Sequence, residues 1–289
     1  MPPVPKSRSA ALVIALLGLS LCLNSCARLI TNTVIEPTVA NLQQQTDLDL
    51  VCEGAPAYLL MIDSMITSSP KDKSLLRTGA QSYSAYTAAL AECGAEQKRI
   101  MVIADKARLY GTTLIDLVLA DNASSRLDVL ERELAGAARS DVPSLFWGSM
   151  AWLTWIQQQQ GAPKAMADLL SVEKIMARLL ELDETYQAGS IHLFFAGLQA
   201  TRPAMLGGDP EGSRRHFEQA LAISRRQFLL IQTSYAETLA RQTLDQKLHD
   251  RLLKEVLDFP LASAPAFALG NQIAKRKAAR LLAEDYFAE

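Results

Sequence analysis

From Leu48 onward, apolar residues recur at helical steps and form no convincing strand-like alternation. Leu48, Val51, Cys52, Leu59, Ile62, Met65 and Ile66 fall three, four or seven positions apart, which lines one face of a 3.6-residue helix. Pro70 ends that run. The same pattern predicts helices over 72–91, 97–120, 141–160, 185–205, 209–223, 228–243, 246–257 and 267–287, with another from Gly161-Ala162-Pro163 to Leu182. Asp141 before Pro143 and Asp209 before Pro210 read as side-chain caps followed by Pro in the first turn. Apolar residues make up 49% of the chain, with 14 Gly and 12 Pro. That is too apolar for disorder and too poor in turn residues for an all-β fold. The expectation is an all-α fold of about 10–12 helices in antiparallel pairs joined by short loops.

Helix pairs suggest a repeat. Leu76, Gly79, Ala80 and Tyr83 have the first-helix spacing of a tetratricopeptide unit, with small residues where helices approach closely. Leu182-Asp183-Glu184-Thr185-Tyr186 resembles the closing turn, and Phe217 and Ala220 have the second-helix spacing. A tetratricopeptide-like α-solenoid is therefore expected, although a generic bundle reproduces parts of this degenerate pattern.

The first 25 residues read as an address. Lys6 and Arg8 form a basic start, and Ala11–Leu23 is nearly all apolar. That run is shorter than the roughly 20 residues a membrane span needs. Leu23-Asn24-Ser25-Cys26 looks like a bacterial lipoprotein cleavage box, with Cys26 as the acylated residue. Cys22 is the rival acceptor, disfavoured by bulky Leu21 before it. Each buried CH₂ of an acyl chain contributes about 0.8 kcal/mol, so several chains anchor durably. Ala27 rather than Asp after the cysteine points to outer-membrane sorting, with the body on the periplasmic face, tethered by lipid only. The expected division is a signal over 1–25, a tether and first helix over 26–44, and a single helical-repeat domain over 45–289.

Chemistry-bearing motifs are missing. There is no G-x-x-x-x-G-K loop, no C-x-x-C and no G-x-S-x-G elbow. His192, His216 and His249 form no zinc motif, so no metal or cofactor is expected. The acids Glu181, Asp183 and Glu184 sit at a helix junction and read as solvated caps. A net charge of −2 gives no basic surface for nucleic acid. A non-enzymatic protein is expected.

Aromatic side chains concentrate in places. Phe146, Trp147, Trp152 and Trp155 share one helix; His192, Phe194 and Phe195 form a second group; Tyr83 and Tyr86 form a third. Tyr83, Tyr86, Phe146, Trp147, Trp152, Trp155, His192 and Phe195 are candidates for an apolar ligand cavity, with core packing as the alternative for each. If the helices flanking Pro70 pair antiparallel, Cys52 and Cys93 lie at the same end. A bridge there would stabilise by about 2–4 kcal/mol; two buried thiols are the alternative.

Several segments in order resemble one family. They are Glu53-Gly54-Ala55-Pro56-Ala57-Tyr58-Leu59-Leu60-Met61-Ile62-Asp63-Ser64, Leu75-Leu76 leading to Ala80-Gln81-Ser82-Tyr83-Ser84-Ala85-Tyr86, and Phe146-Trp147-Gly148. Leu206-Gly207-Gly208-Asp209-Pro210, His216-Phe217 with Ala220, and Asn271-Gln272-Ile273-Ala274-Lys275-Arg276-Lys277-Ala278 follow. Together with the lipobox and helical body they resemble the T component of tripartite ATP-independent periplasmic (TRAP) transporters. The resemblance implies a trimeric lipoprotein that contacts the transporter's periplasmic solute-binding protein. It also implies a cavity for a small, apolar organic acid, and no catalytic residues. Only Cys26 carries over as a site. Cys93-Gly94 departs from the continuous helix expected there. The competing reading is a tetratricopeptide-like scaffold for outer-membrane protein or envelope assembly.

Overall fold

The computed structural model describes residues 41–287. The signal, Cys22, Cys26 and most of the 26–44 tether lie outside the described residues. Among the described residues there is no strand, and the chain is all-α. The helices are α1 (Leu48–Ser68), α2 (Lys73–Glu92), α3 (Gln97–Val118), α4 (Leu127–Leu134), α5 (Val142–Gln158) and α6 (Pro163–Asp183). They continue as α7 (Tyr186–Thr201), α8 (Pro210–Ile223), α9 (Leu230–Tyr235), α10 (Gln246–Asp258) and α11 (Ala268–Ala283).

Local chemistry sets most boundaries. Asp47 accepts from the Leu50 N–H at 2.9 Å, Asp72 from Ser74 and Leu75 at 2.8 and 3.1 Å, and Asp245 from Leu248 at 2.9 Å. Each satisfies helix-start N–H groups that lack an intrahelical partner. At the end of α2, Gly94 takes φ 72° and the Ala95 N–H reaches back to the Leu90 carbonyl at 3.1 Å. The Cys93-Gly94 departure is thus a helix stop, which a residue without Cβ makes easily.

Two expected caps form differently. The Asp141 carboxylate accepts from the Ala138 N–H at 3.0 Å, behind it, because a 3₁₀ turn over Arg139–Asp141 already runs into α5. Asp209 is extended (φ −142°, ψ 94°) and Pro210 does open α8, but the Asp209 side chain makes no cap bond. Its carboxylate lies 3.5 Å from Arg215 instead. Three further features depart from the expected pattern. Helix α4 lies in a stretch for which the pattern predicts no helix. Gln187, Ala188 and Gly189 are left-handed at the start of α7. The 228–243 stretch begins as α9 and widens into a π-helical turn over Ala236–Ala240.

Packing runs largely between sequence neighbours: α2 on α1, α3 on α2, α5 on α3, α6 on α5 and α8 on α7. Helix α11 then returns to α1 and α2. These helices belong to one unit, Gln43–Glu289. Gly79 admits the approach of α1 and α3, since a Cβ there would meet Ile66 Cδ1 at 2.7 Å and Tyr110 Cδ2 at 2.9 Å. At the α3–α5 crossing, a Cβ on Gly111 would lie 2.6 Å from the Gly148 carbonyl oxygen. Among the described residues two apolar cores stand out. The first draws on α3 to α7 and holds Trp152, Phe146, Leu145, Ile191, Phe194 and Leu198. The second draws on α7 to α11 and holds Ala196, Ala200, Phe217, Tyr235 and Leu253.

Candidate functional site

Asp63 is a lone acid in an apolar stretch of α1, and it gathers donors from two other helices. Its Oδ1 accepts from the Tyr83 hydroxyl at 2.8 Å and the Tyr110 hydroxyl at 2.6 Å. Its Oδ2 accepts from Lys106 Nζ at 3.1 Å. Burial opposes ionisation of Asp63, but Tyr110, Tyr83 and Lys106 outweigh it and hold the carboxyl below its usual range. Burial and then the Asp63 carboxylate push both phenols up. Tyr83, a cavity candidate, is thus a buried strut between α1, α2 and α3. The sequence signal for this hub was Asp63 itself, a charge on an apolar helix in need of partners.

The tryptophans of α5 are tied down by acids. Trp152 donates to Asp168 Oδ2 on α6 at 3.0 Å, and the same oxygen pairs with Arg108 Nη2 on α3 at 3.0 Å. Trp155 donates to Asp105 Oδ1 at 2.8 Å, and the Arg108 guanidinium lies 4.2 Å from the centre of its ring. Both indoles are buried. Their N–H groups have partners, as buried indoles require.

Phe146 is buried at the centre of an edge-to-face trio, 5.2 Å from Trp147 and 5.1 Å from Tyr186. Phe195 stacks on His216 at 5.5 Å. His192 is buried, with Nδ1 2.8 Å from His216 Nδ1 and Nε2 3.3 Å from Glu184 Oε2. A carboxylate only accepts, so His192 donates from Nε2 and its Nδ1 accepts from His216 Nδ1–H, an assignment made from the network. Glu184 is exposed at the C-cap of α6, as expected, and its carboxylate also reaches His192. Trp147, Tyr186 and Phe195 all pack on the first core while staying half-buried.

Tyr86 is buried and its hydroxyl donates to the Cys52 carbonyl at 3.0 Å. Cys52 and Cys93 are joined by a disulfide between α1 and the end of α2. The eight aromatic and histidine candidates therefore fall into several contact groups rather than one. Six are buried; Trp147 and Phe195 keep partial exposure. Sequence reasoning missed Asp63, Lys106, Tyr110, Arg108, Asp105 and Asp168. Among the described residues no group of three or more His, Cys, Asp or Glu is arranged to hold a metal ion.

Against known families, the sequence matches the TRAP transporter T-component over residues 44–287, essentially the whole helical body. The chain belongs to the TRAP transporter T-component family. Comparison with curated proteins returns no match. For this T component, the match spans both cores and every helix from α1 to α11. A role in TRAP transport follows from membership, and this is a family of transporter components.

Proposed function

We propose that this T component is a non-enzymatic periplasmic lipoprotein, anchored to the outer membrane through Cys26. It docks a TRAP solute-binding protein and receives a small apolar organic solute. The family match over 44–287 carries the reading. The half-buried rings of Trp147, Tyr186 and Phe195 support it, because such rings offer apolar area without reactive groups.

Native mass spectrometry of the full chain with the solute-binding protein of a TRAP transporter from the same genome tests the partner. A defined complex is expected, and the same spectra report whether the chain is a trimer. Recovery of barrel-assembly components alone would favour the scaffold reading. Trp147→Ala and Phe195→Ala are expected to weaken the complex or solute uptake at temperatures well below their lowered Tm, where both variants are folded. Retained binding in both variants removes these rings from the proposal. Globomycin, which blocks lipoprotein signal processing, should leave an uncleaved precursor; normal processing in its presence excludes Cys26 as the anchor.

A further inference from the structure

Helix α11 meets the first hairpin through charges set around its disulfide. Arg276 makes a two-point pair with Asp49, at 2.8 and 2.7 Å. One turn further along α11, Arg280 reaches Glu92 at 3.2 Å. Asp49 lies three residues before Cys52, and Glu92 directly precedes Cys93. Arg276 Nη1 also stands 4.0 Å from Cys93 Sγ. The two acids therefore sit on separate helices, and the bridge fixes their relative position to match two arginines at i and i+4. Both cysteines are half-buried, so a small reductant reaches them.

We propose that the Cys52–Cys93 bridge is a redox-sensitive latch governing how firmly the C-terminal helix α11 closes on the α1–α2 hairpin. A small dithiol supplies two electrons and two protons. The S–S bond breaks, both cysteines become thiols, and the dithiol closes to its own disulfide. The ends of α1 and α2 then move independently, and the Asp49–Arg276 and Glu92–Arg280 contacts no longer act together. The latch operates whatever α11 closure does for transport.

Hydrogen exchange of the full-length protein, oxidised and treated with dithiothreitol, tests this. Amide exchange over 268–283 is expected to rise about threefold, the scale of losing paired surface contacts, while 142–158 and 163–183 stay unchanged. In oxidised protein, Arg276→Gln combined with Arg280→Gln should raise exchange over 268–283 in the same way. Dithiothreitol should then add little. An unchanged 268–283, or a rise spread evenly over all helices, overturns the latch. So does a full additional effect of reduction in the double variant, because the bridge then acts without the arginines.

Discussion

The Tyr86 hydroxyl donates to the Cys52 carbonyl, four residues before Pro56 in α1. A proline lacks the N–H that would bond to residue i−4, so Pro56 leaves that carbonyl without its helical donor. A side chain from α2 supplies the missing hydrogen. Tyr86, which reads from sequence as a cavity candidate, instead repairs a helix across the hairpin.

Tyr86→Phe should therefore cost about 1–2 kcal/mol, the scale of one orphaned buried carbonyl. In a Pro56→Ala background the backbone N–H gained at position 56 restores the helical bond, and the same change should cost little. Urea unfolding of the four proteins in the cycle measures this. Equal penalties in both backgrounds would show that the hydroxyl's contribution does not depend on Pro56.

Gly148→Ala should destabilise by about 1–3 kcal/mol, since the new methyl meets Ile115 Cγ1 at 2.8 Å and the Gly111 carbonyl oxygen at 2.9 Å. Gly54→Ala is the contrast. Nothing lies within 4 Å of a Cβ there, so the change should stabilise α1 by about 0.5–1 kcal/mol. Thermal unfolding separates the two, and an undiminished Tm in Gly148→Ala would mean that α3 and α5 part at no cost.

Asp63→Asn should lower stability at pH 7 by about 2 kcal/mol, the scale of charge-assisted hydrogen bonds in a partly buried site. The folded carboxyl is held below the usual carboxylate range by its two phenols and Lys106, against the opposing effect of burial. Its contribution is complete above the unfolded value, about 3.9, and is lost as pH falls through the folded one. The gap between the native protein and the Asp63→Asn variant should thus narrow only below about pH 4. A gap already closed at pH 6 would assign the effect to another group.

His216 is held below its usual 6.5 by burial first, then by His192 and Arg215. A depressed histidine stabilises the fold above its unfolded value and loses that contribution as the pH falls toward the folded one. Stability should decline below about pH 6.5, and His216→Gln should flatten that limb. Denaturant melts between pH 7 and pH 5 test it. An identical slope in the variant would place the titration elsewhere.

Helix positions were legible because their start and stop signals are local. Pro70, Gly94, Gly161 and Pro210 act within one turn, and helical spacing survives in sequence without knowledge of neighbours. Helix α4 was missed because eight residues hold barely two turns of pattern and follow a polar stretch. Asp141 shows a different limit: the residue type favours a cap, but the preceding 3₁₀ turn decides which N–H it meets. The Asp63 hub was illegible for a further reason. Its donors lie 20, 43 and 47 residues away, on two other helices, and only packing brings them together. The tryptophans were easy to find and hard to assign, since their acid partners Asp105 and Asp168 look like ordinary surface charges.

Helix α7 gives Ile191, Phe194 and Leu198 to one core and Ala196 and Ala200 to the other. Severing the chain on either side of it would strip a wall from one interior, so the two halves are not exchangeable modules. Evolution can lengthen the loops around this shared beam, but grafting the front half of one relative onto the back half of another must carry the beam's two faces together.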